Sequence, residues 1–158
     1  MIKKILKITL LCSCFCYANA SMLTGKVIHI SDGDTVHILT TKKEKIKIRL
    51  SGIDAPESKQ AFGNKSKENL KNYIYQKNVV VKYKNKDKYK RVLGTIYYQN
   101  RDINLQQVKD GYAWVYKKYS KNPNYFKTEK EAKSKKLGLW SDKNPIEPWE
   151  FRKNRRKI

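Results

Sequence analysis

The acidic residues of this chain form two short clusters that could hold a metal ion. One is Asp32-Gly-Asp34 and the other is Asp54-Ala-Pro-Glu57. Only 14 of the 158 residues are Asp or Glu, so two clusters at two predicted turns are informative. Four carboxylates at one end of a fold would suit a divalent cation with oxygen ligands. The alternative is that Asp32-Gly33 forms a common turn and that the second cluster consists of solvated loop acids.

Two arginines extend this chemistry towards phosphate. Arg49 lies on the polar face of a predicted strand, five residues before Asp54, and Arg91 begins a later strand after a lysine-rich loop. A guanidinium is a planar fork that matches the oxygens of a phosphodiester better than an ammonium does. A metal, a carboxylate base and an arginine pair are the components of phosphoryl transfer to water. The alternative for Arg49 is one surface cation among many.

Hydrophobic periodicity predicts the elements that position these residues. A period of two over residues 23–51, broken at 31–34 and 41–44, predicts three antiparallel strands. Further strands are predicted at 79–83 and 92–98, and an extended segment at 112–116. Helices are predicted at 64–75, at 103–110 between an Asp102 cap and Gly111, and at 128–136 with a cap at Gly138.

This order of elements predicts an α+β fold that is mainly β. Five strands, with a helix between the third and the fourth, suggest a Greek-key barrel of the oligonucleotide-binding (OB) type with about three helices. The exposed face of such a barrel commonly binds nucleic acids. From residue 145 onward, the proline- and arginine-rich sequence predicts an extended, basic tail over residues 145–158.

The charge of the chain points to a polyanionic partner. The sequence has 36 Lys and Arg against 14 Asp and Glu, which gives a net charge of +22. Such an excess disfavours the compact state, and an acidic partner such as nucleic acid, an anionic membrane or an acidic polysaccharide compensates for it. The composition therefore argues against an ordinary enzyme of small metabolites. The length allows one domain, which we place at residues 21–144.

Residues 1–20 are predicted to be a secretory signal peptide. Three lysines precede an apolar stretch at 8–17, and Ala18-Asn19-Ala20 forms the cleavage site. About ten apolar residues are too few to span a bilayer, which needs about 20. All three cysteines lie inside this segment, so the mature chain has no disulfide or thiolate site. We expect a secreted protein, extracellular or periplasmic; a lipid anchor at Cys14 is the weaker alternative.

Five segments together resemble the staphylococcal nuclease (thermonuclease) family. They are Ile30-Ser-Asp-Gly-Asp-Thr-Val36, Ile48-Arg-Leu-Ser-Gly-Ile-Asp-Ala-Pro-Glu57, Lys88-Tyr-Lys-Arg-Val-Leu-Gly94, Gly111-Tyr-Ala-Trp-Val-Tyr116 and Leu137-Gly-Leu-Trp140. Their order matches that of the family, and they extend over nearly the whole mature chain. The resemblance implies a secreted, Ca²⁺-dependent nuclease on an OB barrel that cuts DNA and RNA and leaves 3′-phosphates.

The resemblance also implies a role for each site residue by its position. One Ca²⁺ would be held by the carboxylates of Asp34 and Asp54 and the main-chain carbonyl of Ala55, with Asp32 orienting metal-bound water. Glu57 would be the general base, and Arg49 and Arg91 would clamp the scissile phosphate. The substrate would also contact Lys88, Tyr89, Trp114 and Tyr116, whose rings could stack on bases. For Trp114, a packing role is the alternative.

Two other functions fit parts of the sequence. A non-catalytic OB module would bind nucleic acid with the same fold and charge, but it has no need of the carboxylates and arginines together. A cationic protein could instead act on membranes or anionic glycans. We expect a monomer with no stable protein partner and no membrane span after signal cleavage. His29 and His37 are interpreted as surface or structural residues, and residues 149–158 as a solvated charge run that adds non-specific phosphate contacts.

Overall fold

A computed structural model describes residues 21–156 of the chain. The predicted signal peptide and its cysteines lie outside the described residues. The strands are β1 (Ser21–Asp32), β2 (Thr35–Leu39), β3 (Lys45–Leu50), β4 (Ile53–Asp54), β5 (Asn78–Lys86), β6 (Val92–Tyr98), β7 (Arg101–Asp102) and β8 (Trp114–Val115). The helices are α1 (Gly63–Ile74), α2 (Ile103–Lys109), α3 (Pro123–Ser134) and α4 (Pro148–Arg155), with a 3₁₀ helix at Gly138–Ser141.

The five long strands close into a mixed barrel. Strands β1, β2 and β3 form an antiparallel meander, and β5 pairs with β1 and with β6, also antiparallel. The barrel closes where β6 runs parallel to β3, with Val92 opposite Ile48 and Gly94 opposite Leu50. This arrangement confirms the predicted five-stranded OB-type barrel.

The barrel core follows from the alternation in the sequence. Side chains at alternate positions point to one face of a strand, and these positions carry Val27, Val36, Ile38, Ile48 and Leu50, which are fully buried. Helix α1 adds Leu70 and Ile74 to the same core. Each such side chain contributes about 1.5–3 kcal/mol when it is removed from water. The apolar face of the barrel therefore holds the ends of β1, β2 and β3, which carry the site residues, in place.

The helices that follow the barrel agree with the sequence at one boundary and differ at another. Asp102 caps α2 by accepting a hydrogen bond from the Leu105 amide, and Gly111 has a φ of 73°, as a stop signal requires. Helix α3 begins at Pro123, five residues before its predicted start, because Asn122 provides an N-cap and Pro123 occupies the first turn. Gly138 does not cap α3; it opens the 3₁₀ helix instead.

The C-terminal segment is not the predicted extended tail. Residues Pro148–Arg155 form α4, so residues 21–156 contain four α-helices rather than about three. The ring of Trp149 stacks on that of Tyr116, with centroids 5.2 Å apart and an interplanar angle of 7°. Within residues 21–156, no helix has the length and apolar character needed to cross a membrane.

Candidate active site

The turn between β1 and β2 is held by close packing against two helices. The Asp34 amide donates to the Asp32 carboxylate (3.1 Å), and the buried Gln107 side chain of α2 donates to the Gly33 carbonyl (2.8 Å). A Cβ atom on Gly33 would lie 1.8 Å from Oγ of Ser66 on α1. Glycine is therefore required here by the close approach of α1. The Asp-Gly segment is a turn, and its contacts with Gln107 and Ser66 hold Asp34 in a fixed position.

Asp34 is a buried carboxylate that faces the loop after β4. Its Oδ2 accepts a 2.7 Å hydrogen bond from the Ala55 amide, and its Oδ1 accepts one from the Thr35 hydroxyl (3.0 Å). Burial raises the pKa of Asp34 well above the ordinary 3.8; Arg49 opposes this rise, and the neighbouring Asp32 and Asp54 add to it. An ionised Asp34 therefore needs a cation beside it.

Arg49 supplies that cation and joins the two acidic clusters. One terminal nitrogen, Nη2, lies 2.9 Å from Oδ2 of Asp34 and 2.7 Å from Oδ1 of Asp54. The other, Nη1, donates to the carbonyls of Leu50 (2.7 Å) and Ile53 (3.0 Å). The side chain is only 12% exposed. Arg49 is thus part of a built cluster, and the alternative of a free surface cation is wrong.

Asp54 and Glu57 are the other two carboxylates of the cluster, and they differ in solvent exposure. Strand β4 pairs with β8, which places Asp54 opposite Trp114 and leaves its side chain 1% exposed. Glu57 lies in the loop after β4, and its side chain is 32% exposed. The buried carboxylates are therefore suited to holding a cation, whereas Glu57 can reach solvent water.

A residue that the sequence reasoning missed lies in the same cluster. Arg152 of α4 donates through Nη2 to Oδ2 of Asp54 (2.7 Å) and through Nη1 to Oε1 of Glu57 (2.7 Å). Burial by itself would lower the pKa of Arg152, but the hydrogen bonds to Asp54 and Glu57 outweigh it and raise the pKa. Pro148 at the start of α4, an acidic first turn and a basic last turn form a helix signature that could have revealed this segment.

The donor set of the cluster fits a hard divalent cation. Asp34 and Asp54 share one nitrogen of Arg49, so their carboxylates lie close enough together to face a common cation. Carboxylate, carbonyl and water oxygens are the ligands that Ca²⁺ prefers. Among residues 21–156, no three acidic or histidine side chains by themselves form a metal-binding group. A metal here would therefore need the carbonyl of Ala55 and water in addition to the two carboxylates.

The structure does not bring Arg91 into contact with the carboxylate cluster. Its Nε donates to Oδ2 of Asp87 (2.7 Å), and its guanidinium lies over the ring of Tyr89, 5.4 Å from the centroid. The ammonium of Lys88 contacts the same ring at 5.1 Å. Tyr89 is 64% exposed. These three residues form a cationic, aromatic loop ahead of β6 that is accessible to a ligand.

Trp114 in β8 and Tyr116 directly after it, both predicted to stack on bases, have different surroundings. Trp114 is buried between Trp140 (centroids 4.3 Å apart) and Trp149, with the ammonium of Lys133 over its ring. A packing role therefore fits Trp114, and its ring offers no face to a base in this structure. Tyr116 is half-buried, and one face of its ring is covered by Trp149.

The two histidines lie together on the barrel wall. His29 of β1 and His37 of β2 are cross-strand partners with ring centroids 5.3 Å apart. Among the described residues, no hydrogen bond or ion pair joins either ring to the carboxylate cluster. Burial, followed by the nearby Lys47, His29 and Lys45, lowers the pKa of His37 from its ordinary 6.5.

An OB-type barrel with buried carboxylates, a solvent-reaching glutamate and arginine forks defines a protein suited to phosphodiester hydrolysis. The sequence profile described as "Staphylococcal nuclease homologue" matches residues 47–142, and the chain belongs to this family. It is a hydrolytic nuclease by class. The matched segment contains Arg49, Asp54, Glu57 and Arg91 and ends before α4.

Individual relatives agree with this family. The chain is 52% identical over 130 residues to a protein of Haemophilus influenzae (strain ATCC 51907 / DSM 11121 / KW20 / Rd) named "Uncharacterized endonuclease", covering 82% of this chain and 73% of that one. It is 40% identical over 140 residues to "Micrococcal nuclease" of Shigella flexneri (82% and 80% covered). It is 38% identical over 142 residues to "Protein ParB" of Escherichia coli (83% and 80% covered).

Proposed function

We propose that this nuclease is a secreted, Ca²⁺-dependent enzyme that hydrolyses the phosphodiester bonds of DNA and RNA and leaves 3′-phosphate ends. The observation that carries the proposal is the single cluster formed by Asp34, Arg49, Asp54 and Glu57. These residues come from the β1–β2 turn, the end of β3, β4 and the following loop. Arg49 contacts Asp34 and Asp54 directly, and Arg152 links Asp54 to Glu57. The enzyme acts as a monomer on nucleic acid outside the cytoplasm.

In this proposal the buried carboxylates hold the metal. Asp34 and Asp54 would hold Ca²⁺ through side-chain oxygens and Ala55 through its carbonyl, while Asp32 would brace the turn and orient water at the metal. Bound Ca²⁺ supplies Lewis-acid polarisation and charge neutralisation at a phosphoryl oxygen. The hydrogen bond from the Ala55 amide to Asp34 keeps the carbonyl-bearing loop next to the carboxylate. The metal-binding residues are thus connected before a ligand arrives.

Glu57 is the proposed general base. Its exposed carboxylate can accept a proton from water, and that water oxygen attacks phosphorus opposite the 5′-oxygen. The bond between phosphorus and the 5′-oxygen breaks, the 5′-oxygen takes a proton from solvent water to become a hydroxyl, and the phosphate stays on the 3′ side. Base catalysis by a positioned carboxylate contributes about 10² to 10⁴ in rate.

Arg49 and Arg91 are the proposed phosphate clamps. Arg49 already lies against Asp34 and Asp54 and carries a planar fork. Arg91 directly precedes Val92, whose β6 position pairs with Ile48 of β3, so its backbone lies beside the strand of Arg49. To bind phosphate, Arg91 must exchange its partner Asp87 for the substrate.

The remaining contacts favour binding that tolerates many sequences. Lys88 and Tyr89 offer a cation and an exposed ring near Arg91, and Tyr116 offers a second ring, one face of which Trp149 covers. Ring stacking on bases does not depend on sequence, and lysine–phosphate contacts do not either. A binding protein without catalysis would use the same surfaces, but it would not need the buried carboxylates to be held against Arg49.

A cleavage assay tests the proposal directly. Plasmid DNA and RNA are incubated with the mature protein in Ca²⁺, in Mg²⁺ and in excess EGTA. We expect cleavage in Ca²⁺, weaker cleavage in Mg²⁺, none in EGTA, and product ends that need 3′-dephosphorylation before a polymerase extends them. Binding in a mobility-shift assay without any cleavage would support the non-catalytic OB module. Full activity in EGTA would remove Asp34 and Asp54 from the metal role.

Secretion is tested separately on the expressed full chain. N-terminal sequencing of protein recovered from the periplasm or the medium should begin at Ser21. A mature protein that begins with a lipid-modified Cys14 would contradict the soluble secreted form and support the lipid-anchored alternative.

A further inference from the structure

Helix α4 places an arginine besides Arg49 at the centre of the carboxylate cluster. Arg152 grips Asp54 with both terminal nitrogens, at 2.7 Å to Oδ2 and 3.2 Å to Oδ1, and also contacts Glu57 at 2.7 Å. Its partners are the proposed metal ligand and the proposed base. Arg91, by contrast, is paired with Asp87. The best-placed arginine after Arg49 is therefore one that lies outside the family-matched segment.

The position of Arg152 results from the packing of α4. Trp149 stacks on Tyr116 and makes an edge contact with Trp114 at a centroid distance of 6.0 Å. Phe151 lines the small cavity formed with Phe62 and Leu139. The segment before the helix is tied down by a 2.6 Å hydrogen bond from the Gln60 side chain to the Ile146 carbonyl. These contacts fix the position of α4 against the fold, so Arg152 is held next to the carboxylate cluster.

The charge balance of the site also includes Arg152. Asp32, Asp34, Asp54 and Glu57 carry four formal negative charges, and a phosphodiester brings one more. A divalent cation, Arg49 and Arg91 supply four positive charges, so one further cation is needed for neutrality. Arg152 supplies it at 33% exposure, where neutralisation matters more than in open water.

We propose that Arg152 is an active-site arginine that rests on Asp54 and Glu57 in the free enzyme and transfers its hydrogen bonds to the substrate phosphate when a divalent cation binds at Asp54. This inference rests on the proposed function. Helix α4 stays docked, and only the long side chain turns. A guanidinium presents two parallel donors to phosphate as it does to carboxylate. Arg152 can therefore keep both parallel hydrogen bonds when phosphate oxygens replace the carboxylate oxygens as acceptors.

The proposal makes two measurable quantities move in opposite directions. Both oxygens of Asp54 accept hydrogen bonds from Arg152, so Arg152 competes with a cation for the same oxygens. Removing Arg152 should therefore tighten Ca²⁺ binding. Removing a transition-state donor should at the same time slow turnover, by about 10² for a single donor. A residue that only supports the fold would weaken both.

The experiment compares Arg152→Ala, Arg152→Lys and the wild type, with Arg155→Ala as the matched control. Arg155 is exposed on the same helix, so its removal changes the charge but not the cluster. A non-specific phosphate contact at this position would change KM and not kcat. Ca²⁺ affinity is measured by calorimetry and kcat at saturating Ca²⁺ on a single-stranded oligonucleotide. We expect Arg152→Ala to bind Ca²⁺ several-fold more tightly and to lose about 10² in kcat. Arg152→Lys should be intermediate, and Arg155→Ala should keep the wild-type kcat.

Three outcomes would overturn the assignment. If Arg152→Ala cuts at or above the wild-type rate at saturating Ca²⁺, Arg152 only inhibits the enzyme by occupying the oxygens of Asp54. If Ca²⁺ binding, turnover and melting temperature fall together in Arg152→Ala and Arg152→Lys, its role is structural. If Arg155→Ala loses as much turnover as Arg152→Ala, the effect belongs to the charge of the helix. A wild-type protein that fails to cut contradicts the proposed function itself and is distinguished in this way from a failure of the Arg152 assignment.

Discussion

Arg49 donates a 2.7 Å hydrogen bond to Asp54, five residues further along the chain, and the same nitrogen lies 2.9 Å from Asp34. The end of β3, strand β4 and the β1–β2 turn are therefore joined through one guanidinium. Its second nitrogen is held by two backbone carbonyls. The cluster is consequently organised before any ligand binds, which reduces the cost of reorganisation during catalysis.

Arg49→Lys should lower both stability and activity. Lysine keeps the charge but cannot contact two carbonyls and two carboxylates at once. Because Arg49 is largely buried, we expect unfolding free energy to fall by about 1–3 kcal/mol and kcat by about 10². Urea unfolding and steady-state cleavage measure the two effects. Arg101→Lys, at an exposed position of β7, is the control; wild-type stability and turnover in Arg49→Lys would contradict the clamp.

Glu57→Gln should separate binding from chemistry. Glutamine keeps the volume, and its amide oxygen can still accept from Arg152, but it cannot take a proton from water. We expect kcat to drop by about 10² to 10⁴, with DNA affinity in a mobility-shift assay nearly unchanged. Glu44→Gln, at an exposed turn, should cut like the wild type. Normal turnover by Glu57→Gln would require another base.

Gly33→Ala should damage the metal site through packing. The new Cβ would lie 1.8 Å from Oγ of Ser66 and 2.8 Å from the Cβ of Ala55, so Asp34 or α1 must shift. We expect a loss of about 1–3 kcal/mol in unfolding free energy, together with weaker Ca²⁺ binding. The double variant Gly33→Ala/Ser66→Ala should recover part of both, since it removes the closest atom. Unchanged unfolding and Ca²⁺ affinity in the single variant would show that the turn is looser than described.

His37 should make stability depend on pH without affecting cleavage. Its folded pKa is lowered, chiefly by burial and then by Lys47, His29 and Lys45. The folded state therefore favours the neutral ring. The contribution of His37 is present above its unfolded pKa of about 6.5 and is lost as pH falls through the lower folded value. Unfolding free energies of wild type and His37→Gln, measured between about pH 7.5 and 5, should differ in slope. Equal slopes, or loss of cleavage in His37→Gln, would contradict this interpretation.

The barrel could be predicted because its information is local. Alternation in β1, β2 and β3 sorts apolar side chains to one face, and a turn lies between each pair of strands. The boundary of α3 was wrong for an equally local reason. After the Asn122-Pro123 start signal, the apolar residues Tyr125 and Phe126 are adjacent rather than three or four positions apart, so the pattern over residues 123–127 did not indicate a helix.

The sequence by itself determined the barrel, the positions of the two acidic clusters along the chain and the family to which the chain belongs. Only the tertiary structure decided which arginines meet those carboxylates. Helix α4 has eight residues, too few to be stable alone, and it forms because Trp149 and Phe151 find apolar partners elsewhere in the fold. Arg152 therefore reaches Asp54 across a separation of 98 residues, which no spacing in the sequence encodes. Arg91 pairs instead with Asp87, because the tight turn between β5 and β6 brings these two residues together.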